Sequence, residues 1–414
     1  LTATYSVTPK SGSCTGTPFT ITVTVNPRPA ISATTAVICS DGTFTVTPAD
    51  GTNGIVPAGT TYTWSAPTVS GGITGGSGES GAGITSISGT LTNPLNTAQT
   101  AIYTVTPVSP AGPCTGSAFT VTVTVNPLPD VNDLSTAICS GGSFNLTPVN
   151  GVDGLVPVGV TYTWGAPTMS AGIAGGVGGS GANITGTLTN SLNTAGTATY
   201  TVTPATGSCT GSTFTVTVTV NPKPAINPQT AEICSGGSFT ISPSDGADGL
   251  VPAGTLYTWA APGVTGGITG GAAGTSAVNI SGTLVNPTNA VQTATYTVTP
   301  VSGTCTGSAF TITVTVNPMP SVNNLTSTIC SGGTFTVTPA NGTNGVVPAG
   351  TTYSWGVPSI TGTITPPALG GSGASITGTL INTGSSAGTA TYTVTPVSPL
   401  GPCTGNTFTV TVTV

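Results

Sequence analysis

The sequence predicts an all-β protein, a tandem array of antiparallel β-sandwich domains, and three observations carry that reading. One strand is written five times: FTITVTVNP at 19–27, FTVTVTVNP at 119–127 and 214–222, FTITVTVNP at 310–318 and FTVTVTV at 408–414. Apolar and threonine residues alternate along it with the period of two that a half-buried strand requires. The chain also holds 61 Gly and 35 Pro, which break helices and populate turns, so almost no helix is expected.

The copies define domains. The tryptophans of TYTW, TYTW, LYTW and TYSW, at 64, 164, 259 and 355, recur at spacings of 100, 95 and 96 residues. That period exceeds the roughly 20–50 residues of solenoid repeats and fits a seven-stranded sandwich of about 100 residues. The boundaries follow as 28–127, 128–222, 223–318 and 319–414, with 1–27 as the C-terminal hairpin of a further, truncated copy. Because residue 1 falls within a repeat, the sequence reads as a segment of a longer chain.

Within the second full copy the elements run in order. VNDLSTAI leads to a Cys-Ser-Gly-Gly turn, then SFNLTP, the loop VNGVDGLVPVG and the strand VTYTW. A glycine-rich stretch from Ala171 to Ala182 follows, read as a flexible loop or bulged edge. NITGTLTN, TATYTVTP, a turn at Gly207–Gly211 and TFTVTVTV complete seven strands. Phe214, Val216, Val218 and Val220 should face the core, and Thr215, Thr217 and Thr219 should face outward. Threonine suits a pleated surface and makes it polar without charge. The Asn-Pro-x-Pro stretches NPRP, NPLP, NPKP and NPMP read as short, stiff spacers between domains. Four domains built from strands of about nine residues would then form a rod of about 150 Å.

Composition restricts function. With no His, 3 Lys plus Arg and 9 Asp plus Glu in 414 residues, few acid–base sites can be assembled, and no catalytic residue or enzyme activity is expected. Lys10, Arg28 and Lys223 cannot form the basic surface that nucleic acid requires. No run approaches the ~20 apolar residues of a membrane helix, so no membrane insertion is expected.

Cysteines at 14, 39, 114, 139, 209, 234, 305, 330 and 403 occupy two recurring contexts, ICSGG or ICSDG and CTG. They lack zinc-site spacing and read as a disulfide framework, hence an extracellular protein. Three connectivities stand open. Pairing within domains gives Cys39–Cys114, Cys139–Cys209, Cys234–Cys305 and Cys330–Cys403, which fits a Cys, Trp, Cys order. Pairing of one domain's first turn with the next domain's last turn gives bonds such as Cys39–Cys209. Pairing at the constant 25-residue spacing gives Cys14–Cys39 and its equivalents.

The remaining candidates are weighed against plainer roles. The loops at 49–54, 149–154, 244–249 and 340–345 carry Asp50, Asp153, Asp245 and Asp248, a weak calcium pattern, since calcium wants several oxygen ligands. The fourth copy has only Asn341 and Asn344, and Asn-Gly and Asp-Gly also form turns, so a structural role is favoured and no cofactor is assigned. Trp64, Trp164, Trp259 and Trp355 read as core anchors in preference to sugar platforms. Tyr5, Tyr103, Tyr200, Tyr296 and Tyr392 stand where sandwiches place a tyrosine corner. Sequons at Asn145, Asn183, Asn279, Asn324 and Asn341 would matter only on a eukaryotic secretory route.

The combined motif ICSGG-x-FTVTP, YTW, GTLTN, ATYTVTP, CTG-x-FTVTVTVNP resembles the tandem PKD-like, immunoglobulin-like repeats of large Bacteroidota surface proteins. The resemblance covers all four repeats and the half repeat. It implies a bacterial cell-surface stalk, adhesin or filament, similar to gliding adhesins exported by type IX secretion. Expected partners are other copies of itself or neighbouring surface proteins, with glycans as the alternative for a polysaccharide-binding array.

Overall fold

The computed structural model describes residues 1–365 and 370–414, and among them every regular element is a β-strand. The chain falls into two compact units, residues 1–189 with 196–220 and residues 190–195 with 221–414. The first holds the N-terminal hairpin and two sandwich cores, one running from Ile31 to Val125 and one from Val131 to Val220. The second holds cores from Ile226 to Val316 and from Phe335 to Val412.

The repeat around Trp164 illustrates the plan. Its larger sheet runs in the order Leu134–Cys139, Phe214–Asn221, Gly196–Thr206, Thr161–Trp164, Gly179–Gly181. Ser143–Leu146 pairs with Ile184–Thr187 in the facing sheet. Alternation decides the packing: Val216, Val218 and Val220 are fully buried, while Thr215, Thr217 and Thr219 keep partial contact with solvent. Phe144 on Tyr200 at 5.6 Å ties the two layers, and Tyr162 packs edge-on to Phe214 at 6.1 Å within the larger sheet. Equivalent pairs recur in the other three repeats, each contributing about 0.5–1.5 kcal/mol beyond its buried area. The outward hydroxyls pair as well: Ser143 with Thr187 at 2.7 Å, Thr43 with Thr90 at 2.8 Å, Ser238 with Thr283 at 2.7 Å and Thr334 with Thr379 at 2.9 Å. Threonine therefore supplies cross-strand hydrogen bonds in addition to an uncharged surface.

The sandwich is not wholly antiparallel. The first long strand lies parallel to the last where Thr34–Cys39 runs beside Phe119–Asn126, Gln229–Cys234 beside Phe310–Asn317 and Leu325–Thr328 beside Phe408–Thr413. Cys39 is level with Asn126 and Cys234 with Asn317. This register places the first-turn cysteine at the exit end of its own repeat.

Candidate functional site at the junctions between repeats

The parallel register overturns the within-domain pairing of cysteines. Within one repeat, Cys39 sits at the Asn126 end of the last strand and Cys114 lies before its Phe119 end. An eight-residue strand separates them by roughly 25 Å, far beyond disulfide reach. The structure joins Cys39 to Cys209, with Cα atoms 5.6 Å apart, and Cys234 to Cys403 at 5.7 Å. Each bond runs from one repeat's first turn to the next repeat's last turn. Cys39–Cys114, Cys139–Cys209, Cys234–Cys305 and Cys330–Cys403 are therefore all replaced, as is Cys14–Cys39. Cys139 and Cys305 are also disulfide-bonded, whereas Cys14, Cys114 and Cys330 are free thiols. The expected place of Cys114 and Cys330 in the bonded framework is thus corrected.

The spacer proline holds the same junction. A Cβ added to the glycine of CTG would come within 2.5 Å of the Pro29 carbonyl oxygen at Gly116, 2.0 Å of Pro129 O at Gly211, 2.3 Å of Pro224 O at Gly307 and 2.0 Å of Pro320 O at Gly405. Only glycine admits that approach. The last proline of each Asn-Pro-x-Pro stretch is thereby clamped against the closing turn of the repeat it introduces. Arg28 adds a hydrogen bond from Nε to the Thr115 carbonyl, 2.8 Å, and at the Cys234–Cys403 staple the Asn317 amide donates to Glu232 Oε1, 2.6 Å. The sequence motif CTG combines two jobs, a staple and a backbone clamp.

The other candidate residues have structural partners. In the Asp/Asn-Gly loops the first oxygen accepts the N–H six residues on and the second accepts the N–H four residues back. Asp50 accepts from Val56 and Asn53 from Ala49, Asn150 from Val156 and Asp153 from Val149, Asp245 from Val251 and Asp248 from Ser244, all at 2.8–2.9 Å. Asn341 and Asn344 make the same bonds to Val347 and Ala340. Carboxylate and amide are interchangeable here because each serves as a backbone acceptor. The hydrogen bond from Ser244 holds the Asp248 carboxyl below its ordinary range. Among the described residues no cluster of three metal-ligating side chains forms.

Trp64, Trp164 and Trp259 are buried, and Trp355 packs partly buried against its core. The glycine-rich stretches, expected as flexible loops or bulged edges, form edge strands, with a register shift opposite Tyr257 and Trp259, and cradle these indoles. Gly179–Gly181 and Gly371–Gly373 pair with the tryptophan strands, and a Cβ on Gly179, Gly274 or Gly371 would fall 2.3–2.7 Å from an indole ring carbon. The tyrosine corner is not made. Tyr103, Tyr200, Tyr296 and Tyr392 are buried with hydroxyls that find no protein hydrogen-bond partner, and Tyr5 is exposed. One hub went unrecognised in the sequence, the asparagine ending GTLTN and its variants. Asn286 donates through its side-chain amide to Ala290 O at 2.7 Å and Val316 O at 2.9 Å, and its backbone N–H donates to Ser235 Oγ at 2.9 Å. Asn93 and Asn382 repeat the arrangement. Its recurrence at one place in each copy was the available signal.

Comparison with known proteins fits this architecture. A PKD-like domain model matches residues 1–29, 36–129, 136–224, 231–320 and 327–414. The chain belongs to the PKD-like domain family. No curated protein matches the PKD-like chain in sequence. Among solved structures it is similar to the human desmocollin-1 ectodomain, at 12% identity and TM-score 0.26, covering 91% of this chain and 79% of that one. It is similar to the Escherichia coli adhesin FdeC at 14% and 0.26, covering 77% and 93%. Drosophila N-cadherin EC1-4 gives 12% and 0.23, covering 92% and 99%. At such scores these likenesses carry no functional argument, and the PKD-like family assignment rests on the five matched repeats.

Proposed function

We propose that this chain is a non-catalytic, load-bearing stalk segment of a larger extracellular adhesive protein, working at a bacterial cell surface. The observation that carries this reading is the staple between successive repeats, reinforced by the proline clamp. A binding array needs only folded modules, whereas covalent bonds across junctions resist separation of those modules under tension. Disulfide bonding in this family setting supports an oxidising, extracellular location. Export of the type IX kind and lateral association with other copies or with neighbouring surface proteins belong to the same proposal. The polysaccharide-binding alternative finds little support, because the tryptophans that would carry it lie in the cores.

Single-molecule stretching tests the reading. The staples span 170 and 169 residues, so at about 3.3 Å per extended residue each withholds roughly 560 Å of chain from extension. Reduction should release that length as additional unfolding steps. Identical force–extension traces before and after reduction would remove the mechanical reading.

A further inference from the structure

The Cys39–Cys209 and Cys234–Cys403 staples share one geometry and differ in what stands beside the sulfur that solvent can reach. Cys209 and Cys403 are fully buried, whereas Cys39 and Cys234 are partly exposed. A disulfide opens when a thiolate attacks one of its sulfurs. A thiol arriving from solution must therefore approach from the Cys39 or the Cys234 side and expel the buried partner.

The approach to Cys234 is a cavity of about 360 Å³ whose lining includes Glu232, Cys234, Asn317 and Gly401. Glu232 and Cys234 stand two residues apart on one strand, level with Thr315 and Asn317 of the neighbouring strand. They project to the same side of the sheet, about 6.6 Å apart along the strand. The carboxylate is fixed in place, because Asn317 donates to Glu232 Oε1 at 2.6 Å, and that amide is itself confined by Gly401, where an added Cβ would collide with Asn317 Nδ2. The chain's only cations, Lys10, Arg28 and Lys223, are absent from the lining of this cavity.

At the other staple the equivalent position is Val37, level with Thr124 and 66% exposed. Asp41 follows Cys39 by two residues, but its carboxylate is turned to the facing sheet, where the Thr92 hydroxyl donates to Oδ1 at 2.6 Å. The reachable sulfur thus has a fixed carboxylate beside it on its own strand at Cys234 and an apolar side chain at Cys39.

We propose that Glu232 is an electrostatic guard that selects which reductants open the Cys234–Cys403 staple, holding off anionic thiols that the Cys39–Cys209 staple admits. In the guarded step a thiolate attacks Cys234 Sγ, the bond to Cys403 breaks, and Cys403 leaves as a thiolate that takes a proton from water. A second thiolate then attacks the reductant's sulfur in the mixed disulfide, releases the Cys234 thiolate and leaves as the oxidised reductant. One unit charge at about 6.6 Å in water changes the rate of such an attack by about threefold. The inference rests on the staples and not on the load they carry, so its failure would leave the stretching experiment unaffected.

The test measures reduction of the full chain by mercaptoethanesulfonate, whose second charge is negative, and by cysteamine, whose second charge is positive. Reaction is quenched by alkylation at timed intervals, and peptide mass spectrometry reads Cys39, Cys209, Cys234 and Cys403 separately. At about 20 mM salt, Glu232→Gln, which keeps the oxygen that Asn317 bonds, should raise the ratio of the mercaptoethanesulfonate rate to the cysteamine rate at Cys234–Cys403 by at least about threefold. The ratio at Cys39–Cys209 should stay unchanged. Val37→Glu, on an exposed position, should lower the ratio at Cys39–Cys209 by a similar factor. Both effects should vanish at about 1 M salt, where the screening length falls to about 3 Å. An unchanged ratio in Glu232→Gln, equal acceleration by both thiols, or a change that persists in high salt overturns the proposal.

Discussion

The hairpins at Thr2–Thr24 and Gly196–Asn221 carry nearly the same residues in the same register and end in opposite environments. Val23 is 44% exposed and its counterpart Val218 is fully buried. The difference teaches that alternation specifies which side of a strand is apolar, whereas burial comes from the five other strands of the sandwich. Substitution makes the contrast measurable. Val218→Asp should place an uncompensated charge in the core and destabilise its repeat by several kcal/mol, enough to unfold it. Val23→Asp in the same chain should change stability by no more than about 0.5 kcal/mol. Chemical denaturation followed by tryptophan fluorescence distinguishes the two, and equal losses would mean that the first hairpin is packed.

A smaller effect separates the sandwiches from the hairpin through a single side chain. Asn286→Ala removes two donors, leaving the buried carbonyl of Val316 without its side-chain partner, and should cost about 2–3 kcal/mol. The truncated copy has no such asparagine, because the strand that bears it precedes the last two. A loss below about 0.5 kcal/mol in urea denaturation would demote the residue from hub to surface turn.

What the sequence made legible follows the same division. Period-two alternation and the turn residues are local, and they place Phe214 through Val220, the tryptophan strand and the Asn-Gly loops. Cysteine pairing is not local. It depends on the parallel alignment of Thr34–Cys39 with Phe119–Asn126, and nothing in either segment states which direction the pair adopts. The glycine-rich stretches were legible as edges, and Gly179–Gly181 and Gly371–Gly373 do pair at the edge of the larger sheet, but the reason for glycine there is not local: an indole ring lies against Gly179 and Gly371. The hydroxyls of the core tyrosines were likewise assigned a partner by position, and the structure gives them none.

Alkaline pH probes those tyrosines together. Burial raises the hydroxyl pKa of Tyr103, Tyr200, Tyr296 and Tyr392, and Tyr162, buried and facing the charge of Asp153, is pushed from 10.0 up to about 12. Below pH 10 both states hold the proton and stability is unaffected. Between the unfolded value and the folded value the unfolded chain binds fewer protons, so stability falls as pH rises through that window. Melting temperatures should be level from neutral pH to about 9.5 and decline above it. A level profile through pH 12 would mean that these hydroxyls reach water.

The smallest effect is the most discriminating for the core. Tyr200 is fully buried beneath Phe144, and its hydroxyl oxygen would lie 3.0 and 3.2 Å from a Cβ placed on Gly176 and Gly186. It has no protein acceptor. Tyr200→Phe removes the desolvation cost of that hydroxyl and leaves a space of one oxygen atom, so stability should stay constant or rise by up to about 1 kcal/mol. A hydrogen-bonded tyrosine corner would instead lose about 1 kcal/mol on the same change. Paired urea titrations of the wild-type and Tyr200→Phe chains decide by sign alone. A gain identifies the tyrosine as an aromatic filler whose hydroxyl is tolerated by the glycines above it, and a loss identifies a bond that ties the penultimate strand to its neighbouring loop.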